Sequence, residues 1–129
     1  MSELTCLELS VVLWLVYVLT QALAARTEFG DAYLFTPRDT EPAVKGLAYG
    51  RATRALANYV ENYGPFIALA LALIATGQHG GAGAIGATIW LLARIVYLPI
   101  YLAGVIYVRT GLWLISVIGL LMMLYRLVV

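Results

Sequence analysis

Hydrophobic and polar positions fall in long blocks along this chain. Four apolar stretches approach or exceed the ~20 residues that a helix needs to cross a bilayer. Their limits predict helices over about 4–25, 44–76, 84–108 and 111–127. A polar loop from Arg26 to about Pro42 separates the first two, and Pro37 and Pro42 within it oppose a continuous helix. The run from Gly77 to Gly83 reads as a tight glycine-rich turn. It lacks the strand–loop–helix setting and the Lys-Ser/Thr of a phosphate-binding loop, so it is read as a connection. Pro99 predicts a kink in the third helix. The second helix is amphipathic in its first half and purely apolar in its second. It is longer than a bilayer core requires, so its N-terminal turns are expected to project from the membrane.

Composition agrees with the block pattern. Of 129 residues, 63% are hydrophobic and 12% charged, more apolar surface than a soluble domain of this length can bury. The expected fold is an all-α integral membrane four-helix bundle in a single domain, 1–129. A net charge of +1 without a basic run argues against nucleic acid as a partner. Cys6 is the single cysteine and reads as a small packing residue. The N-terminal segment has no basic start and carries Glu3 and Glu8, unlike a signal peptide. Arg26, Arg38, Lys45, Arg51, Arg54 and Arg109 fall on one side of the predicted spans, against His79 and Arg126 on the other. The positive-inside rule then places loop 26–43 and the turn near 109 in the cytoplasm, with both termini opposite.

Two polar stripes interrupt the apolar pattern. Arg51, Arg54, Asn58, Glu61 and Pro65 alternate three and four apart, so they share one face of the second helix. Ionisable groups at the edge of a bilayer are costly and by default point to function. Arg offers a planar fork for carboxylates, Asn58 can donate and accept, and Glu61 can pair with Arg54 or accept from a ligand amine. Such a set suits a small zwitterionic ligand with more than one carboxylate. It also suits an ion-pair network that sets helix register or subunit contacts. On the third helix, Arg94, Tyr97 and Tyr101 form the second stripe. Arg94 lies inside an apolar run and needs a partner, and Glu61 is the acidic candidate. The tyrosines could donate hydroxyls or simply pack. Arg109 could meet lipid phosphate, or could stabilise a thiolate, since a nearby cation lowers a thiol pKa from about 8.5. Tyr107 and Trp113 read as interfacial aromatics. No cluster with metal-ligand spacing and no serine-nucleophile motif occurs.

These residues carry a resemblance. Pro37-Arg38-Asp39, the stretch from Gly50-Arg51 through Arg54-Ala55 and Asn58 to Glu61, and Pro65-Phe66 resemble the membrane-associated proteins in eicosanoid and glutathione metabolism, the MAPEG family. The second-helix pattern R-x-x-R-A-x-x-N-x-x-E is filled at every fixed position. Arg94, Tyr97, Tyr101, Gly104 and Arg109-Thr110 look like the family's third helix and the Arg before its fourth. The resemblance covers essentially the whole chain and suggests a short bacterial member, in the inner membrane. It implies a homotrimer of four-helix subunits with sites between neighbours, where glutathione is a co-substrate and its thiol is activated on the cytoplasmic side. The second substrate would be lipophilic, arriving from the membrane lipid. Carried over by position, Arg54, Asn58 and Glu61 would hold the glutathione backbone, Tyr101 would contact the tripeptide, and Arg109 would be the catalytic, thiolate-stabilising cation. Arg51, Arg94 and Tyr97 complete the candidate binding set, with Arg38 beside them, and Tyr97 stands where some members have His. Ala57 is a departure, standing where some glutathione-using members have a basic residue.

Three functions follow as expectations: a glutathione-dependent transferase or peroxidase, a non-catalytic lipid- or partner-binding protein on the same scaffold, and a structural assembly subunit whose polar stripes join trimer contacts. A channel or transporter fits poorly, because the chain has neither paired broken helices nor an inverted repeat.

Overall fold

The computed structural model describes residues 1–129, in four helices: α1 (Glu3–Leu34), α2 (Ala48–Ala75), α3 (Gly81–Ala103) and α4 (Ile106–Val128). α1 starts cleanly because the Ser2 hydroxyl accepts from Thr5 N–H at 3.1 Å and Glu3 lies in the first turn, where the helix dipole favours an acid. Glu3 is also buried, and its Oε1 accepts from Gly80 N–H at 2.7 Å, so the start of α1 caps the start of α3.

Helix limits differ from those expected. α1 continues to Leu34 instead of ending near Ala25, with a break at Gly30 (φ 77°, ψ 161°). The extra turns carry Arg26, Glu28 and Asp31, a polar helix that no apolar-length criterion detects. Arg26 pairs with Asp31 at 2.9 Å on the exposed surface. Glu28 accepts from the backbone N–H groups of Lys45 and of Gly46 (3.0 Å to the latter), fastening the 35–47 connection to α1. α2 therefore begins at Ala48, not near Val44. α3 runs unbroken through Pro99 but stops at Ala103 rather than near Val108, because Gly104 turns left-handed (φ 78°). α4 accordingly begins at Ile106, several residues earlier than expected.

α1, α3 and α4 are each long and apolar enough to cross a membrane, with mean hydropathies of 1.8, 1.7 and 2.0. This is a membrane protein. α2 does not meet that measure, since Arg51, Arg54 and Glu61 occupy its first half.

The core is aromatic. Phe66 stacks on Trp90 with centroids 3.9 Å apart and planes at 8°. Tyr59 and Tyr63 pack round the same indole, and Tyr17 lies 4.6 Å from Tyr59. Hydroxyls in this core find backbone acceptors: Tyr17 donates to Arg94 O at 2.7 Å and Tyr59 to Ser10 O at 2.6 Å, as buried tyrosines require. α3 and α4 meet at glycines. A Cβ on Gly86 would stand 2.5 Å from Gly119 O, and one on Gly119 would stand 2.6 Å from Gly86 O. Small residues permit this approach, which is how helices pack where lipid removes the hydrophobic drive.

Candidate functional site

The two polar stripes converge. Arg54, Ala57, Asn58 and Glu61 of α2, Tyr97 and Tyr101 of α3, and Arg109 of α4 line one open cleft of about 350 Å³. A smaller recess of about 160 Å³ shares Asn58, Tyr97 and Arg109 and is also lined by Thr110 and Trp113. Helical spacing brings the α2 residues onto one face. The tight α3–α4 turn does the rest: Gly104 ends α3, Val105 is extended, and α4 returns so that Arg109 reaches back over α3. Its guanidinium lies 4.7 Å from the centre of the Tyr101 ring, a cation–π placement. Tyr101 in turn packs against Tyr97, with centroids 5.5 Å apart.

The charge pattern at this end favours an anionic ligand. Arg54 and Arg109 line the cleft against a single acid, Glu61. Neither arginine has an acidic partner within its own chain, because Arg26–Asp31 is the one ion pair. Arg109 also lies in the second turn of a helix whose start has no acidic residue and no side-chain cap. The uncapped first turn ahead of it favours an anion nearby. A ligand anion in the cleft would relieve both.

Three candidate residues stand outside the cleft. Arg51 turns away from it: Nη1 donates to Leu102 O at 2.8 Å, and the guanidinium packs on Gly104, where a Cβ would stand 2.7 Å from Nη2. Arg51 thus ties the C-terminus of α3. Arg94 sits behind the cleft wall, fully buried. Its expected partner, Glu61, is exposed on α2 and does not meet it. Nη1 instead donates to Asn58 Oδ1 at 2.6 Å and Nη2 to Ser116 Oγ at 2.9 Å. Ser116 in turn donates to Trp113 O at 2.7 Å. Helical spacing does not mark Ser116 as part of this network, because its relation to Arg94 is purely tertiary. A serine inside the apolar stretch of α4 from Gly111 to Leu124 was the available signal. Arg38 lies in the 35–47 connection, with Nη2 donating to Leu34 O at 3.1 Å, and lines a different cavity of about 530 Å³ with Phe29, Tyr33 and Tyr49.

Fold and site together define a helical membrane bundle with a cation-rich polar cleft at one end. The chain belongs to the MAPEG family, whose model matches residues 6–129, essentially its whole length. No curated protein and no solved structure gives a match.

Proposed function

We propose that the protein is a membrane-bound glutathione-dependent transferase or peroxidase acting on lipophilic electrophiles or lipid hydroperoxides. One observation carries the reading: three helices deliver Arg54, Asn58, Glu61, Tyr101 and Arg109 into a single cleft. A small zwitterion with two carboxylates and an ammonium matches that set. Arg54 is suited to a carboxylate and Glu61 to the ammonium. Arg109 is the cation that would stabilise the sulfur as a thiolate, its proton leaving to solvent. The thiolate then attacks a substrate that arrives laterally from the lipid. At an electrophilic carbon it forms C–S as the leaving group departs. At a hydroperoxide it breaks O–O, releasing the lipid alcohol, after which a second glutathione gives the disulfide and water.

The reading includes a homotrimer with a site at each subunit boundary. In support, the cleft is open on one side, and Arg54 and Glu61 are exposed on α2 without an ion-pair partner in their own chain. It also places the cleft end on the cytoplasmic side of a bacterial inner membrane, following the excess of basic residues there.

The test is equilibrium titration of the detergent-solubilised protein with glutathione. Binding is expected in the wild type and is expected to weaken strongly in Glu61→Gln. Absence of binding in the wild type would overturn the reading. Ala57 in the cleft wall favours a second one, in which the cleft holds an anionic lipid and performs no chemistry. Co-purifying anionic lipid whose removal destabilises the protein, with no glutathione binding, would establish it.

A further inference from the structure

Arg94 is a cation at 0% exposure with no carboxylate beside it. Its partners are the Asn58 amide, the Ser116 hydroxyl, and the rings of Trp90 and Tyr97 with centroids 5.9 and 5.1 Å away. Its Nε makes no hydrogen bond at all. Burying a charge that meets only dipoles is expensive, and an apolar side chain would fill the same space at lower cost. Packing alone does not account for an arginine here.

The consequence lies in what Arg94 does to its neighbour. A guanidinium can only donate hydrogen bonds. The Asn58 amide therefore has one permitted orientation, oxygen inward toward Arg94 and NH2 outward. Nδ2 meets no protein acceptor, and it is not among the buried polar atoms without a partner. Asn58 lines both the larger cleft and the adjoining recess. An asparagine free to turn could present a donor or an acceptor to a ligand, whereas this one presents N–H alone. The bond to a buried cation also polarises the amide and strengthens its outward N–H.

We infer that Arg94 is a positioning residue that locks Asn58 as a hydrogen-bond donor, so that the cleft selects a ligand oxygen at that point. The oxygen belongs to a carboxylate of glutathione, and the ammonium is left to Glu61. The inference rests on the glutathione reading and deepens it. It also explains why Arg94 and Glu61 do not pair: an ion pair between them would remove both the lock and the free acid.

The experiment compares affinities of the full-length solubilised protein for glutathione and for its diamide, in which both carboxylates are primary amides. Titrations at high salt screen longer-range repulsion. The wild type is expected to prefer the acid. Asn58→Asp puts an acceptor in place of the outward donor while giving Arg94 a counter-charge, so the fold and thermal midpoint are expected to hold or improve. Its acid-over-diamide preference is expected to fall about tenfold or more, the scale of a hydrogen bond to a charged group. Arg94→Lys, which is still donor-only, is expected to keep the preference within about threefold, whereas Arg94→Gln, which lets the amide turn, is expected to lose it. A folded Arg94→Gln that keeps the preference overturns the lock, and should Arg94→Gln not fold, loss of the preference in Arg94→Lys does so. An unchanged preference in Asn58→Asp with normal wild-type binding overturns this inference and leaves the glutathione reading standing. No glutathione binding in the wild type overturns both.

Discussion

The Arg109 guanidinium rests over the face of Tyr101, 4.7 Å from the ring centre, and the two come from different helices joined by a turn at Gly104 and Val105. The ring holds the cation at the cleft without neutralising it, which a carboxylate partner would do. A cation kept available in this way can stabilise a thiolate.

Tyr101→Phe keeps the ring under the guanidinium and is expected to retain most turnover. Tyr101→Ala is expected to lose about three- to thirtyfold, the range that a cation–π contact spans. Initial rates of glutathione conjugation to a chromogenic lipophilic aryl halide measure this. If Phe is as impaired as Ala, the hydroxyl and not the ring is what matters.

Arg51 separates structure from ligand binding. Arg51→Ala leaves Leu102 O without its donor at the end of α3 and is expected to cost about 1–3 kcal/mol of stability. Glutathione affinity is expected to stay within about twofold, because Arg51 does not line the cleft. Thermal unfolding in detergent, paired with a glutathione titration, reads both. A large loss of affinity at unchanged stability would return Arg51 to the binding set.

The α3–α4 seam has no room for a methyl group at Gly86 or Gly119. Gly119→Ala is expected to destabilise the protein by about 1–3 kcal/mol as the helices are forced apart. Trp90 lies beside Gly119, with Trp90 N 3.0 Å from the Cβ position, so tryptophan fluorescence is a suitable monitor of unfolding. An unshifted transition would mean that the helices separate freely.

Glu3 is expected to act as the cap of α3. Glu3→Ala leaves Gly80 N–H unpaired and is expected to cost about 1–3 kcal/mol. Amide hydrogen exchange is expected to quicken at Gly80–Gly83 ahead of the cleft. Unaltered exchange there would remove Glu3 from this role.

Much of the site was legible because its elements are helices. Helical spacing alone puts Arg54, Asn58 and Glu61 on one face of α2, and Tyr97 and Tyr101 on one face of α3. What a single-helix pattern cannot contain is the partner across a seam. Arg94 took Asn58 and Ser116 where charge complementarity pointed to Glu61, because the side chains near a buried group are chosen by helix rotation and crossing rather than by charge. Arg51, one turn before Arg54, belongs to the same stripe yet reaches the end of α3. The extension of α1 past Ala25 was hidden for a different reason. Hydropathy marks the end of the apolar run, whereas the helix continues beyond it, where Arg26, Glu28 and Asp31 find polar partners.

The most direct test is the ultraviolet difference spectrum, near the thiolate band, of the solubilised protein on adding glutathione at neutral pH, with Arg109→Ala alongside. A thiolate signal in the wild type that is lost in a variant still able to bind glutathione is the predicted result. Bound glutathione without a thiolate band in the wild type, or an equal band in both proteins, would contradict the assignment of Arg109 as the thiol-activating cation.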